Sequence, residues 1–187
     1  MLKRWKTIST RTVYENPWWT YKVDNFEIPN KVAGAYHYVH TNGSSMVIPI
    51  TDDHKLILAN QFRYLGGRES LEFPCGSLPL RGGQDGKSYV ETAHMELQEE
   101  TGYKADNMQV IGEFNPYNGV TTEFCTVFVA SQLKRSDAKC DDTEEFELVY
   151  CSPEDVGRMI RAKSIWDGMT LAAWMLARHE VFERCTR

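Results

Sequence analysis

A chain of 187 residues with a formal charge of −5 is long enough for one domain with its own core, with room for a small N-terminal extension. The negative balance argues against a nucleic-acid backbone as partner, and no apolar run approaches the roughly 18 residues that a membrane-spanning helix needs. The opening MLKRWKTIST is basic without an apolar stretch, so no secretory signal is expected. Five scattered cysteines with no C-x-x-C pair predict reduced thiols in a cytoplasmic setting and no structural zinc. Residues 4–14 and 19–28 alternate apolar and polar side chains and read as strands around an Asn16-Pro17 turn. Trp18 and Trp19 follow that turn. Each reads either as hairpin packing or as a ring for stacking on a planar base or at an interface. Segments 35–41 and 45–51 read as a hairpin about Asn42-Gly43, with His37 and His40 as ordinary strand residues. A buried strand is expected over 55–64, after the Asp52-Asp53 turn.

The stretch from Glu72 to Tyr103 carries the chemistry. Cys75-Gly76 leads into a loop with Gly82, Gly83 and Gly86, where backbone amides and carbonyls can approach a metal or a phosphate. An amphipathic helix follows and ends at Gly102. At 100° per residue, Glu99 and Glu100 lie roughly 60° and 40° to either side of Glu96. At an effective dielectric of about 20 and a separation of about 6 Å, each such pair repels by about 3 kcal/mol. A divalent cation reverses that sign, and clustered hard oxygens suit Mg²⁺ or Mn²⁺. The alternative is a solvated acidic helix face. A reactive thiol at Cys75 has no base near it in sequence.

Beyond the helix, 109–114 reads as a strand and Asn115-Pro116-Tyr117-Asn118-Gly119 as a loop. Glu123 opens the next strand, over 124–130. A polar loop over 136–142 passes into an acidic run, 143–150, that becomes a strand. Ser152-Pro153-Glu154 caps a helix over 154–162, and a last helix covers 171–183. This order fits an α+β fold with a mixed sheet.

The run Met95-Glu96-Leu97-Gln98-Glu99-Glu100-Thr101-Gly102-Tyr103, with Gly76 as opening glycine, resembles the box G-x5-E-x7-R-E-U-x-E-E-x-G-U of the Nudix hydrolases, where U is apolar. Met95 stands where that box has Arg, Lys87 where it has its first Glu, and the gap from Gly76 to Met95 is five residues longer. Gln61-Phe62-Arg63-Tyr64 followed by Leu71-Glu72-Phe73-Pro74-Cys75-Gly76 resembles the Q-Y-R and L-E-x-P-A-G signatures of one branch, the ADP-ribose pyrophosphatases and related nucleoside-diphosphate-sugar hydrolases. Pro116, Gly119 and Glu123 resemble its P-G-x-x-x-E run loosely, and Asp167-Gly168-Met169-Thr170 resembles its C-terminal part.

The resemblance implies a Nudix-type α/β/α sandwich with a mixed β-sheet. Residues 1–42 would be an antiparallel N-terminal extension for dimerisation and substrate contacts, and 43–187 the hydrolase domain. It implies Mg²⁺, or Mn²⁺, held by Glu96, Glu99, Glu100 and the Cys75 carbonyl. The substrate would be ADP-ribose or another nucleoside-diphosphate sugar, split into a nucleoside monophosphate and a sugar phosphate. Arg63 and Glu72 would lie at the diphosphate, an Arg fork matching phosphate oxygens. An Arg63–Glu72 salt bridge is the other reading, and both can hold. Lys87 is a further candidate for phosphate, and Trp18 or Trp19 for the base. Glu123 would hold metal or pair with an Arg. Glu144, Glu145 or Glu147 would act as general base, the sequence leaving the choice open. A small-molecule substrate, a homodimer, a cytoplasmic location and no nucleic-acid or membrane partner complete the expectation. The alternative is a degenerate box: a Met at 95 cannot ion-pair with the box carboxylates, and such a domain would bind a nucleotide sugar without cleaving it.

Overall fold

The first three strands of the computed structural model, which describes residues 3–29, 31–78, 88–136 and 145–185, form a sheet of their own. β1 (Lys6–Glu15), β2 (Thr20–Glu27) and β3 (Ala33–His40) pair antiparallel in that order, and β1 is exposed along its whole length.

The expected hairpin about Asn42-Gly43 does not form. β3 pairs with β2, whereas β4 (Ser44–Pro49) pairs with β7 (Cys75–Ser77) on one side and, in parallel, with β9 (Cys125–Arg135) on the other. The turn carries the chain from one sheet to the next. Gly43 has φ +96°, and a Cβ there would lie 2.7 Å from the Phe124 carbonyl oxygen and 2.5 Å from the Tyr89 hydroxyl. That conformation and that close approach both call for glycine.

The central sheet runs β7-β4-β9-β8, with β8 at Tyr103–Phe114. A second sheet runs β10-β5-β6, with β5 at Leu56–Arg63, β6 at Arg68–Glu72 and β10 at Glu147–Cys151. Side-chain alternation along β4 and β9 sets the layers. Met46, Ile48, Cys125, Val127 and Val129 join a core with Leu56, Leu58 and Phe73, closed by Val156 of α2 (Pro153–Arg161) and by Trp174 and Val181 of α3 (Gly168–Cys185). Val47, Phe128 and Ala130 pack against Ala93 and Leu97 of α1 (Tyr89–Thr101). α1 therefore covers one face of the central sheet, with α2 and α3 beyond the other: the mixed α+β sandwich expected. Among the described residues, no helix is long and apolar enough to cross a membrane.

Two local features position the site. α1 starts at a reciprocal Ser88–Glu91 capping box and ends at Gly102 in the left-handed conformation, φ 70°. Only the first half of β5, Leu56–Ala59, is buried. Its second half leaves the core and carries Arg63 toward a short 3₁₀ turn, Tyr64–Gly66, that leads into β6. β6 and β7, five and three residues long, were not among the expected strands.

Candidate active site

Ala93, Leu97 and Glu100 share the buried stripe of α1, at i, i+4 and i+7. Glu100 is 6% exposed and accepts a hydrogen bond from the Cys75 N–H at 3.2 Å. It also sits in the last turn of its helix, where the carbonyl dipoles disfavour an anion by about 0.3–1 kcal/mol. No basic residue occupies that turn. Fixed positive potential must come from elsewhere, and Arg63 lies within its electrostatic reach.

Gly76 explains the second contact between β7 and α1. A Cβ at this position would fall 1.9 Å from both Cδ and Oε1 of Glu96. Only a bare Cα lets the Glu96 carboxylate lie against the strand. Gly76 pairs with Ser45, and Ser44 pairs with both Ser77 and Cys125. This register brings the start of β9, and with it Glu123, to the same end of the sheet, while Ser44 alternates with Ser45 and faces away from α1. Glu123 accepts a hydrogen bond from the Ser44 hydroxyl at 2.7 Å.

The Cys75 and Cys125 thiols meet across β4. The hydrogen bond to Cys125 holds the Cys75 thiol well above the ordinary range, helped by burial and by the fields of Glu100 and Glu96. Accepting that bond lowers Cys125, which also feels Glu123 and Asp167. The fields of four carboxylates from three parts of the chain thus act on this pair, Glu100 and Glu96 on Cys75, Glu123 and Asp167 on Cys125. A Cys75 thiol kept protonated is no nucleophile.

Beside them, Arg63 grips Glu72 through two hydrogen bonds, Nε to Oε1 at 2.9 Å and Nη2 to Oε2. The Glu72 side chain is 4% exposed and that of Arg63 46%, so the guanidinium remains open to solvent on one side. Glu72 first, then Glu100 and Asp167, hold the guanidinium strongly protonated against its partial burial. Asp167 was read only as part of a motif before the last helix. It accepts the Thr170 N–H at 2.7 Å, a capping contact, and that short polar signal hides its proximity to Arg63 and Cys125 in the sequence.

The remaining expected residues are not drawn into this cluster in the same way. Glu99 is half-buried on α1. Glu147 opens β10 opposite Asn60, whereas Glu72 and Leu148 both pair with Ala59. The pleat therefore places Glu147 on the opposite face of its sheet from Glu72 and Arg63. With Glu145, Asn60, Gln61, Phe62 and Glu69 it lines a cavity of about 310 Å³. Trp18, 66% exposed, and Trp19 stand at the β1–β2 turn, where the Asn16 Oδ1 accepts both their N–H groups, and Trp19 packs on Tyr14 of the same hairpin. Lys87 and Glu144 lie outside the described residues.

Among the described residues, no three His, Cys, Asp or Glu side chains are drawn together at metal-ligand spacing. The carboxylates lean on the polypeptide instead, Glu96 on Gly76 and Glu100 on the Cys75 N–H. Their chemistry still fits a hard divalent cation. Every carboxylate here is an oxygen donor, two stand at the negative end of a helix, and no Cβ fills the notch at Gly76.

The family profile described as NUDIX domain matches residues 41–172. The chain is 30% identical to the ADP-ribose pyrophosphatase of Bacillus subtilis (strain 168) over 170 residues, which is 90% of this chain and 89% of the relative. It is 29% identical to the methanol dehydrogenase activator of Bacillus methanolicus, again over 170 residues, with 90% and 89% covered. A crystal structure of an ADP compounds hydrolase shares the fold, with a TM-score of 0.84 at 22% identity, covering 98% of this chain and 97% of that one. The profile spans most of the chain and takes in Gly76, Glu96, Glu100 and Glu123: the chain belongs to the Nudix hydrolase family.

Proposed function

We propose that this hydrolase is a Mg²⁺-dependent pyrophosphohydrolase, with Mn²⁺ as a substitute, acting on ADP-ribose or another nucleoside-diphosphate sugar. Its products are a nucleoside monophosphate and a sugar phosphate. The observation that carries this reading is the convergence of Glu96 and Glu100 on the Gly76–Cys75 backbone, beside a solvent-reachable guanidinium at Arg63. The name of the Bacillus subtilis relative supports the substrate class.

Nudix hydrolases generally use divalent cations; a bound cation offsets diphosphate charge and lowers the pKa of the attacking water. Glu96, Glu99, Glu100 and the Cys75 carbonyl would hold it. Arg63, steadied by Glu72, clamps a phosphate, with Lys87 as a further contact. Water adds to one phosphorus, the bridging P–O bond breaks, and the proton passes to a carboxylate of the acidic run, Glu144, Glu145 or Glu147. Glu147 faces away from Arg63 in this conformation, so its use requires the start of β10 to move on substrate binding. The reading includes a homodimer formed through residues 1–42, which the exposure of β1 supports, with Trp18 or Trp19 proposed for the interface or the base. It also includes a cytoplasmic setting, in keeping with free thiols at Cys75, Cys125, Cys151 and Cys185.

Release of nucleoside monophosphate from ADP-ribose and a panel of nucleotide sugars, run with Mg²⁺, Mn²⁺ and chelator, tests the proposal. Cation-dependent cleavage is expected. Tight binding of the same compounds without cleavage would favour the degenerate box, with Met95→Arg as the restoring variant. Gly76→Ala is a sharper probe. The added methyl displaces a flexible carboxylate end rather than backbone, so the thermal midpoint should hold while turnover falls at least about tenfold through misplacement of Glu96.

A further inference from the structure

The hairpin that carries Arg63 places a second arginine opposite it. Across β5 and β6, Arg63 pairs with Arg68, Gln61 with Ser70 and Ala59 with Glu72. Directly opposed residues share a face, so Arg63 and Arg68 both leave the sheet on the side of buried Glu72, where Glu100 lies within electrostatic reach of Arg63. Like charges so placed destabilise a strand pair. Arg63 turns along this face to Glu72, past the fully buried Ser70. Arg68 is exposed, and among the described residues no carboxylate lies within ion-pairing distance of it.

A ring holds Arg68 instead. Its guanidinium carbon lies 3.9 Å from the centre of the Trp166 ring. Trp166, just before α3, is itself fastened to the same hairpin. Its indole N–H donates to the Glu69 carbonyl at 3.0 Å. Its ring lies against Gly66, where a Cβ would fall 3.0 Å from Trp166 Cη2 and 3.7 Å from the Arg63 Cβ. The ring therefore packs at the turn, beside the stem of Arg63 and against the head of Arg68. A guanidinium stacked on a ring keeps its N–H groups pointing outward in its own plane, where an acceptor can reach them. Stacking also removes rotamer freedom before any ligand arrives, so less is lost on binding.

We propose that Arg68 is a second phosphate-binding residue of this centre and that Trp166 is the positioning residue that holds it. The two arginines start as neighbours and their heads diverge, Arg63 toward Glu72 and Arg68 toward Trp166. Heads so separated suit a bridged pair of phosphoryl groups, one to each fork, better than a single group. The incoming anion also offsets the repulsion between the two guanidinium groups. This rests on the hydrolase reading above, in which Arg63 meets a diphosphate, and names the residue that meets its other phosphoryl group.

Calorimetric binding of α,β-methylene ADP-ribose to the full chain with Mg²⁺ tests this without turnover, since its P–C–P bridge resists cleavage. Arg68→Met keeps the stem and loses the fork. It is expected to weaken the analogue about tenfold, the scale of a lost charge-assisted contact, with the thermal midpoint held. The KM for ADP-ribose should rise by a similar factor, with a smaller change in kcat. The ratio between parent and variant should shrink as salt is raised, because the lost contact is electrostatic. Trp166→Leu should weaken the analogue about fivefold, whereas Trp166→Phe, which keeps a ring against the guanidinium, should stay within about twofold. Equal losses in these two variants would overturn Trp166 as the platform. A loss in Arg68→Met that salt does not change would mark a structural effect and overturn the phosphate contact. Parent-like binding in Arg68→Met beside a loss in Arg63→Lys would sink the inference and leave the hydrolase reading standing. A parent protein that neither binds the analogue nor cleaves ADP-ribose would overturn both.

Discussion

Glu100→Gln is expected to lower cation-dependent hydrolysis by about a thousandfold, close to 4 kcal/mol of barrier, while the fold keeps its thermal midpoint or gains slightly. The two halves of this result have separate causes. Gln matches Glu in shape and retains an oxygen that can accept from the Cys75 N–H, so the contact between α1 and β7 survives. The lost charge stood in the buried stripe beside Leu97, in the last helical turn. Removing an anion from that end relieves about 0.3–1 kcal/mol of dipole repulsion, offset in part by the lost attraction to Arg63. Under the proposed function, a carboxylate at this unfavourable place is a stability–function trade-off. Glu96→Gln should lose rate on a similar scale with less effect on stability, because its carboxylate lies over the open Gly76 notch rather than in the stripe. Initial rates at saturating Mg²⁺, taken together with thermal melts, check both variants. Stable variants with unchanged rates would place the centre elsewhere.

The sequence made this helix legible, including its end at Gly102, because capping and amphipathic spacing are local signals. Its acids stood out for the same reason, since an apolar stripe interrupted by Glu100 appears in any helical reading. Pairing was harder. Asn42-Gly43 marks a turn but not the partner of the strand after it, and β4 finds that partner in β9, far along the chain. The notch that seats Glu96 depends on β7, a strand of three residues, too short to show alternation. The facing of Glu147 follows from register across β5, which no local pattern specifies. Asp167 was obscured because a short acid before a helix already has a sufficient explanation as a cap. The link from the N-terminal sheet to the segment before Glu123 needs residues 81–83 apart to meet, and is carried by two backbone hydrogen bonds at Val39 and by single contacts at His40 and Thr41.

Arg63→Ala should damage stability and substrate binding together, and the two losses can be separated by repairing only one. Glu72 is almost fully buried, so removing its partner strands a carboxylate. Breaking a fully buried pair costs about 3–5 kcal/mol, but Arg63 is nearly half exposed and water reaches the pair, so about 1–3 kcal/mol is expected. Pairing Arg63→Met with Glu72→Leu removes both charges and replaces them with apolar volume, which should restore most of the thermal midpoint. It cannot restore a bidentate contact to phosphate. The KM for a diphosphate substrate should therefore stay at least about tenfold above that of the parent in the stable double variant. Arg63→Lys should fall between, keeping the charge and losing the fork. Recovery of both stability and KM in the double variant would make Arg63 a structural partner of Glu72 and nothing more. Recovery of stability alone would assign its exposed edge to the substrate.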